Sequence, residues 1–355
     1  MLSLTPAAML RIFYHTTYDF IRPWRIMVVT TAAFISLGLV LLGVSWARTG
    51  TSVHYSIDFT GGTLVQIEFQ QPPDVSAIRS ALDAGGVHDA EIQSFGTNRD
   101  FTIRAQDAGQ SVSRGANAEA QAPSAEQVAA RIDTVLTQRL GTGVFHIVRT
   151  EAVGPLVGSE LRRGAVVAIL VSFVATLIYL AFRFEWRFGV AAVIATAHDI
   201  LTTLAFIKLL DIEVSLMVVV AILTVIGYSL NDTIIIFDRV REDLRKKRKE
   251  SLYDTLNRAI NETLPRSVMT HATAFAATLA LLLLAGEVIR PFAWVMAFGI
   301  VTGTFSSVYV AGPVLLWIER RYPREGSDRK NVRAPAPRAP TDPDRRATQA
   351  ASVRS

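Results

Sequence analysis

Six stretches of the chain are mostly apolar over about the twenty residues that a helix needs to cross a hydrocarbon layer about 30 Å thick. They cover about Ile26–Ser45, Gly164–Phe182, Phe188–Lys208, Ser215–Phe237, Ser267–Ala285 and Pro291–Ile318. Trp24 and Trp46 flank the first, where interfacial rings sit, and its length and long leader favour a retained anchor over a cleaved signal peptide. Between the first two spans, from Ala47 to Arg163, the pattern changes to short β-rich runs: Val53–Ile57, Thr63–Phe69, Glu91–Phe95, Phe101–Arg104 and Val144–Thr150. Two helical patterns interrupt them, Asp74–Ala84 and Ser124–Leu140, with Asp74 and Ser124 as caps. After the leading strand, the order strand, helix, strand, strand, helix, strand predicts a ferredoxin-like split βαβ sheet in an α+β domain. Gln106–Pro123, rich in Ala, Ser, Gly and Gln, is expected to be a flexible insertion, and the Pro- and Arg-rich tail Tyr322–Ser355 to be disordered.

Composition agrees with the membrane class: 50% hydrophobic residues, mean hydropathy +0.32 and 19% charged residues are too apolar for a soluble fold of 355 residues. The net charge of +5 is concentrated in particular loops. Arg11, Arg22 and Arg25 precede span one, Arg183 and Arg187 join spans two and three, and Arg239, Arg241, Arg245, Lys246, Lys247, Arg248 and Lys249 follow span four. The positive-inside bias puts these sides, both termini and a basic loop over 238–266 in the cytoplasm. The segment Ala47–Arg163 and the turns at Asp211–Glu213 and Glu287–Arg290 fall on the other side. This bias accounts for the basic segments without a nucleic-acid partner. With no cysteine, disulfides and thiolate metal sites are excluded. No phosphate-binding G-x-x-x-x-G-K-[ST] loop occurs, so no ATPase is indicated, and no residue pattern calls for a cofactor, a metal or an enzyme's catalytic group.

Candidate chemistry lies in the spans. An ionisable side chain at a helix centre costs about 2.5 to 3.5 kcal/mol on insertion scales, so those present face protein or water and mark function by default. His198 and Asp199 lie midway along span three, Asn231 and Asp232 within span four, and Arg266 and His271 open span five. Asp232 and Arg266, at similar depths on successive antiparallel helices, form a candidate counter-ion pair, in which a permanently charged Arg tunes a carboxylate for proton relay. The competing role for each polar residue is an interhelical hydrogen bond worth about 0.6 kcal/mol. Ala272, Ala276 and Ala280 on span five, and Gly299 with Gly303 on span six, are small residues suited to close helix packing.

Several motifs resemble a known family. Asp58-Phe59-Thr60-Gly61-Gly62 is similar to the D-F-x-G-G motif of SecD and SecF proteins, and Val153-Gly154-Pro155 with Gly158 to the segment before their second span. Gly227-Tyr228-Ser229-Leu230-Asn231-Asp232-Thr233, followed by Phe237-Asp238-Arg239, resembles the most distinctive signature of the SecF branch. His198-Asp199 and Asn261-Glu262-Thr263-Leu264-Pro265-Arg266-Ser267 fall in the expected order. Ser267 and His271 depart from the Thr and the hydroxyl residue expected there. The Gly61-Gly62 pair also suits a turn between strands. The resemblance implies half of an exporter fold of the RND superfamily in a bacterial inner membrane, with a periplasmic domain and a SecD partner. It further implies assistance to preproteins crossing the SecYEG channel, proton-motive force as energy source, and Asp232 and Arg266 as coupling residues. Membrane lipids are the remaining contact. Half of a small-molecule or lipid exporter, or a passive scaffold, are the alternatives; six spans and one outer domain argue for a partner of similar architecture.

Overall fold

A computed structural model of the protein describes residues 16–323 apart from 88–89, 95, 106–124, 247–249 and 287. The expected insertion Gln106–Pro123, the cap Ser124 and all but the first two residues of the expected tail lie outside the described residues. Among the described residues six helical segments are long and apolar enough to cross a membrane. They are α1 (Trp24–Thr49), α5 (Pro155–Arg183), α6 (Trp186–Leu209), α7 (Leu216–Arg245), α8 (Leu252–Leu284) and a last one made of α9 (Arg290–Ser306), a π-turn (Ser307–Ala311) and α10 (Gly312–Arg321).

Burial separates a centre from a periphery. Half or more of the apolar window is buried in α6 (50%), α7 (56%) and the sixth segment (61%), against 6% in α1 and α5 and 17% in α8. Glycine sets the closest approach. A Cβ on Gly303 would lie 3.1 Å from the Cα of Ser229, and one on Gly299 2.2 Å from a methyl of Val225, so glycine lets α9 rest closely on α7. The alanine stripe behaves differently: Ala272, Ala276 and Ala280 are exposed on the outer face of α8, so they do not pack the bundle as expected.

Helices extend beyond the apolar windows. The loop expected over 238–266 shrinks to the short connection between Arg245 and Leu252, because α7 and α8 continue as charged helices. Ser251 caps α8 by accepting from Asp254 N at 3.1 Å, and Arg258 binds the buried Asp243 of α7 at 2.8 Å. Hydropathy ends where charge begins; helical hydrogen bonding does not.

The α+β domain has β1 (Gly62–Phe69), α3 (Val75–Ala84), β2 (Glu91–Ser94), β3 (Asp100–Ala105), α4 (Ala125–Leu140) and β4 (Phe145–Val153). The sheet order β2-β3-β1-β4, antiparallel throughout, is the expected ferredoxin-like arrangement. Alternation along β1 puts Val65, Ile67 and Phe69 against Ile78 and Leu82 of α3 and Ile132 and Leu136 of α4. Asp74 caps α3 by accepting from Ser76 N at 2.9 Å. The leading strand does not form. Tyr55 makes only an isolated bridge to Val214, and Ile57–Thr60 winds into a short helix, α2. The Gly61-Gly62 pair therefore joins a helix to a strand, with positive φ of 74° and 115°, rather than two strands.

Candidate functional site

Two polar clusters sit among the apolar residues of the helix bundle. In the first, the Asp232 carboxylate of α7 faces His271 of α8, with Oδ2 3.3 Å from Nδ1; the two side chains are 3% and 10% exposed. Ser267, one turn before His271, is buried on the same face. The Tyr228 ring stands edge-on to the His271 ring at 5.2 Å, and its hydroxyl donates to the Thr270 carbonyl at 3.2 Å. Asp232 Oδ1, Ser267 Oγ and His271 Nδ1 are buried without a hydrogen-bond partner among the described residues, so Asp232 and His271 are in contact without a formed hydrogen bond.

Arg266 is not the counter-ion. No ion pair joins it to Asp232, and it is exposed. Helix geometry supplies the reason. Ser267 and His271, four residues apart, lie within about 40° of each other around α8, whereas Arg266 is about 140° from His271. Arg266 instead lines a cavity of about 550 Å³ with Ile235, Asp238, Arg239, Glu242, Glu262 and Thr263 at the charged ends of α7 and α8. That a His and not an Arg faces the carboxylate matters chemically, because an imidazole has both a neutral and a charged form and a guanidinium stays charged.

The second cluster centres on Asp199 of α6, which is 1% exposed. Its Oδ2 accepts hydrogen bonds from the hydroxyls of Ser229 on α7 and Ser306 on α9, the latter at 2.6 Å, and His198 Nδ1 lies 3.0 Å from Oδ1. One carboxylate thus ties three helices. The next residue, Ser307, is 2.8 Å from the Thr233 hydroxyl of α7. Successive serines reach different helices at the start of the π-turn, an irregularity frequent at functional sites. Ser229 and Thr233 sit on α7 on either side of Asp232, so the clusters share a helix.

The candidates therefore divide. The structure brings Asp232 to His271 and Asp199 to His198, and sets Tyr228 on His271. Asn231 and Gly227 are exposed on α7 and join neither cluster. Asp58, Phe59, Gly61 and Gly62 lie in the α+β domain where it meets the bundle. Ser306 and Ser307 were not picked out by their sequence; the signal available was a Ser-Ser pair inside an apolar span.

The model of the protein export membrane protein SecD/SecF C-terminal region matches residues 134–321, and that of the SecD/SecF GG motif matches residues 53–73. A Gemmatimonas aurantiaca protein named protein translocase subunit SecF is 63% identical over 317 residues, covering 89% of this chain and 91% of its own. The chain belongs to the SecD/SecF family, in its SecF branch. The Desulfurispirillum indicum SecF is 39% identical, with 87% of this chain and 94% of the relative covered. Among solved structures, SecDF of Thermus thermophilus, described as a translocon-associated membrane protein, superposes with a TM-score of 0.71 at 35% identity. That match covers 86% of this chain and 39% of the SecDF chain, so this SecF-family chain spans about two-fifths of it. Family, fold and six apolar helices together make it a multi-pass membrane protein.

Proposed function

We propose that the chain is an accessory subunit of the Sec translocase that couples proton passage at Asp232 to movement of its α+β domain on an emerging polypeptide. The observation that carries this reading is the buried Asp232–His271 contact between α7 and α8. A carboxylate and an imidazole in contact form either a charged pair or a neutral one, according to which protons they hold, and a change in hydration switches between them. Each proton crossing releases about 2.3 kcal/mol per 100 mV. Asp199 and His198 extend the relay through Ser229, and Arg266 at the mouth of its cavity tunes the field there. SecDF's greater length supports a SecD-type chain supplying the other half of the fold. The SecYEG channel and its preprotein are the remaining partners of this reading.

The reading also sets the orientation in a bacterial inner membrane: α+β domain in the periplasm, both termini in the cytoplasm. With no native cysteine, labelling is clean. A cysteine in place of Gly109 is expected to react with an impermeant reagent in intact spheroplasts, and one in place of Lys247 only after lysis; the reverse pattern would overturn the orientation. The function itself is tested in vesicles holding the channel, a SecD-type partner and this chain. An imposed proton gradient should stimulate export only when the chain is present, and equal stimulation without it would reject the proposal.

A further inference from the structure

The D-F-x-G-G segment and the start of α7 are joined by more contacts than a linker needs. Asp58 Oδ2 accepts from Leu216 N, the first residue of α7, at 2.9 Å. Ser56 N donates to the Val214 carbonyl at 2.9 Å, and Val214 N to that of His54 at 2.7 Å. Arg104 of β3 points from the helix-free face of the sheet, where it is paired in register with Leu64 and Glu91. Its guanidinium binds Glu213 in the α6–α7 turn and donates to the Tyr55 carbonyl at 2.9 Å. Its side chain is 14% exposed. Burial pulls the guanidinium below its ordinary pKa, while the charges of Glu91 and Asp58 oppose that pull. At the exposed rim, His54 and Lys208 flank Asp211 at 3.1 and 3.5 Å. On the other side, Gly158 of α5 sits where a Cβ would be 2.9 Å from Gly61 N and 3.3 Å from the Phe59 carbonyl. The segment is thus held between the starts of α5 and α7.

We infer that Asp58 and the Arg104–Glu213 pair are positioning residues that pass displacement of α7 to the α+β domain. Asp232 lies on the same continuous helix, sixteen residues from Leu216, or about 24 Å along its axis. A helix transmits axial displacement over that length, and a carboxylate on its first free N–H, backed by the helix dipole, is a directional attachment. Gly61 and Gly62, with their positive φ, and Gly158 give the attachment room without bulk. The inference rests on the proton-coupled reading of Asp232 for the source of the displacement, and on the contacts above for the attachment.

The test uses the full chain with its SecD-type partner in vesicles, spin-labelled at cysteines replacing the exposed Ser80 of α3 and Trp46 of α1. The parent should give one narrow distance distribution that shifts when a proton gradient is imposed. Asp58→Ala combined with Glu213→Ala should broaden it at rest, since loss of hydrogen bonds to charged groups moves the docked ratio by about tenfold or more. The gradient should then no longer shift it. Asp58→Asn, whose amide oxygen still accepts from Leu216 N, should restore the narrow distribution, which a loss of charge alone would not predict. Should the double variant fail to assemble, Glu213→Gln alone, at a half-buried position, should broaden the distribution at rest by less than the double variant would, and an unchanged width would overturn the role of the Arg104–Glu213 pair. A distribution in the double variant as narrow as the parent's, or a broad one that still follows the gradient, would overturn the inference. A parent that ignores the gradient would instead remove the proton-coupled reading, leaving the attachment to be judged by broadening at rest.

Discussion

Asp232→Asn is expected to abolish stimulation of export by a proton gradient while the protein remains inserted and assembled. Asparagine keeps the shape and hydrogen-bonding capacity of the carboxylate but does not titrate. The substitution leaves His271 facing a neutral amide of the same shape. Breaking a fully buried pair costs about 3 to 5 kcal/mol when the remaining charge is stranded, and an imidazole, unlike a guanidinium, has a neutral form that strands none. Protein level and partner association should therefore stay near normal while gradient stimulation falls to the uncoupled level. Asp232→Glu, which still titrates, should keep part of it. Full stimulation in the Asn variant at normal protein levels would make Asp232 structural.

The second large effect is on assembly. Gly303→Leu would force a branched side chain into a contact where a Cβ already lies 3.1 Å from the backbone of Ser229. Overpacking of this kind costs about 1 to 3 kcal/mol, and more where backbone must move. Moving α9 off α7 also separates Ser306 and Ser229 from the Asp199 carboxyl they share, leaving a polar group that is 1% exposed without two of its hydrogen-bond partners. The expected result is a markedly lower melting temperature in detergent and loss of association with a SecD-type chain. Gly303→Ala, needing a shift of a few tenths of an ångström, should be mild by comparison. Equal melting of the Leu variant and the parent would mean that this contact does not hold the centre together.

The spans and the sheet were legible because each rests on a local period: unbroken apolar runs for the helices, and alternation such as Val65, Ile67 and Phe69 for the strands. Helix ends were not, since the charged turns of α7 and α8 are stabilised by pairs such as Arg258 with Asp243, which hydropathy cannot see. Val53–Ile57 has strand composition, yet its neighbour in space is Val214, far along the chain. The candidate site was legible in kind and mistaken in pairing. Asp232 stood out as a carboxylate in an apolar span, but choosing between Arg266 and His271 required the rotation of α8 about its axis. Ser267 and His271 share a face at a spacing of four, and that face meets α7; the sequence offered no means of knowing which face would do so. The Asp199 cluster draws on α6, α7 and α9, and a hydroxyl such as that of Ser306 acquires a role only when Gly303 brings the helices together.

The central claim, that the Asp232–His271 contact exchanges a proton, is tested most directly by pH-induced difference infrared spectroscopy of the reconstituted protein with its SecD-type partner. Protonation of a buried carboxylate produces a carboxylic-acid C=O band, resolved from amide absorption, whose position reports its hydrogen bonding. The account predicts an Asp232 component of such a band in the parent, loss of that component in Asp232→Asn, and its displacement in His271→Asn with little change in Arg266→Gln, since only the His271 variant alters the carboxylate's facing group. A band that persists unchanged in Asp232→Asn would contradict the account.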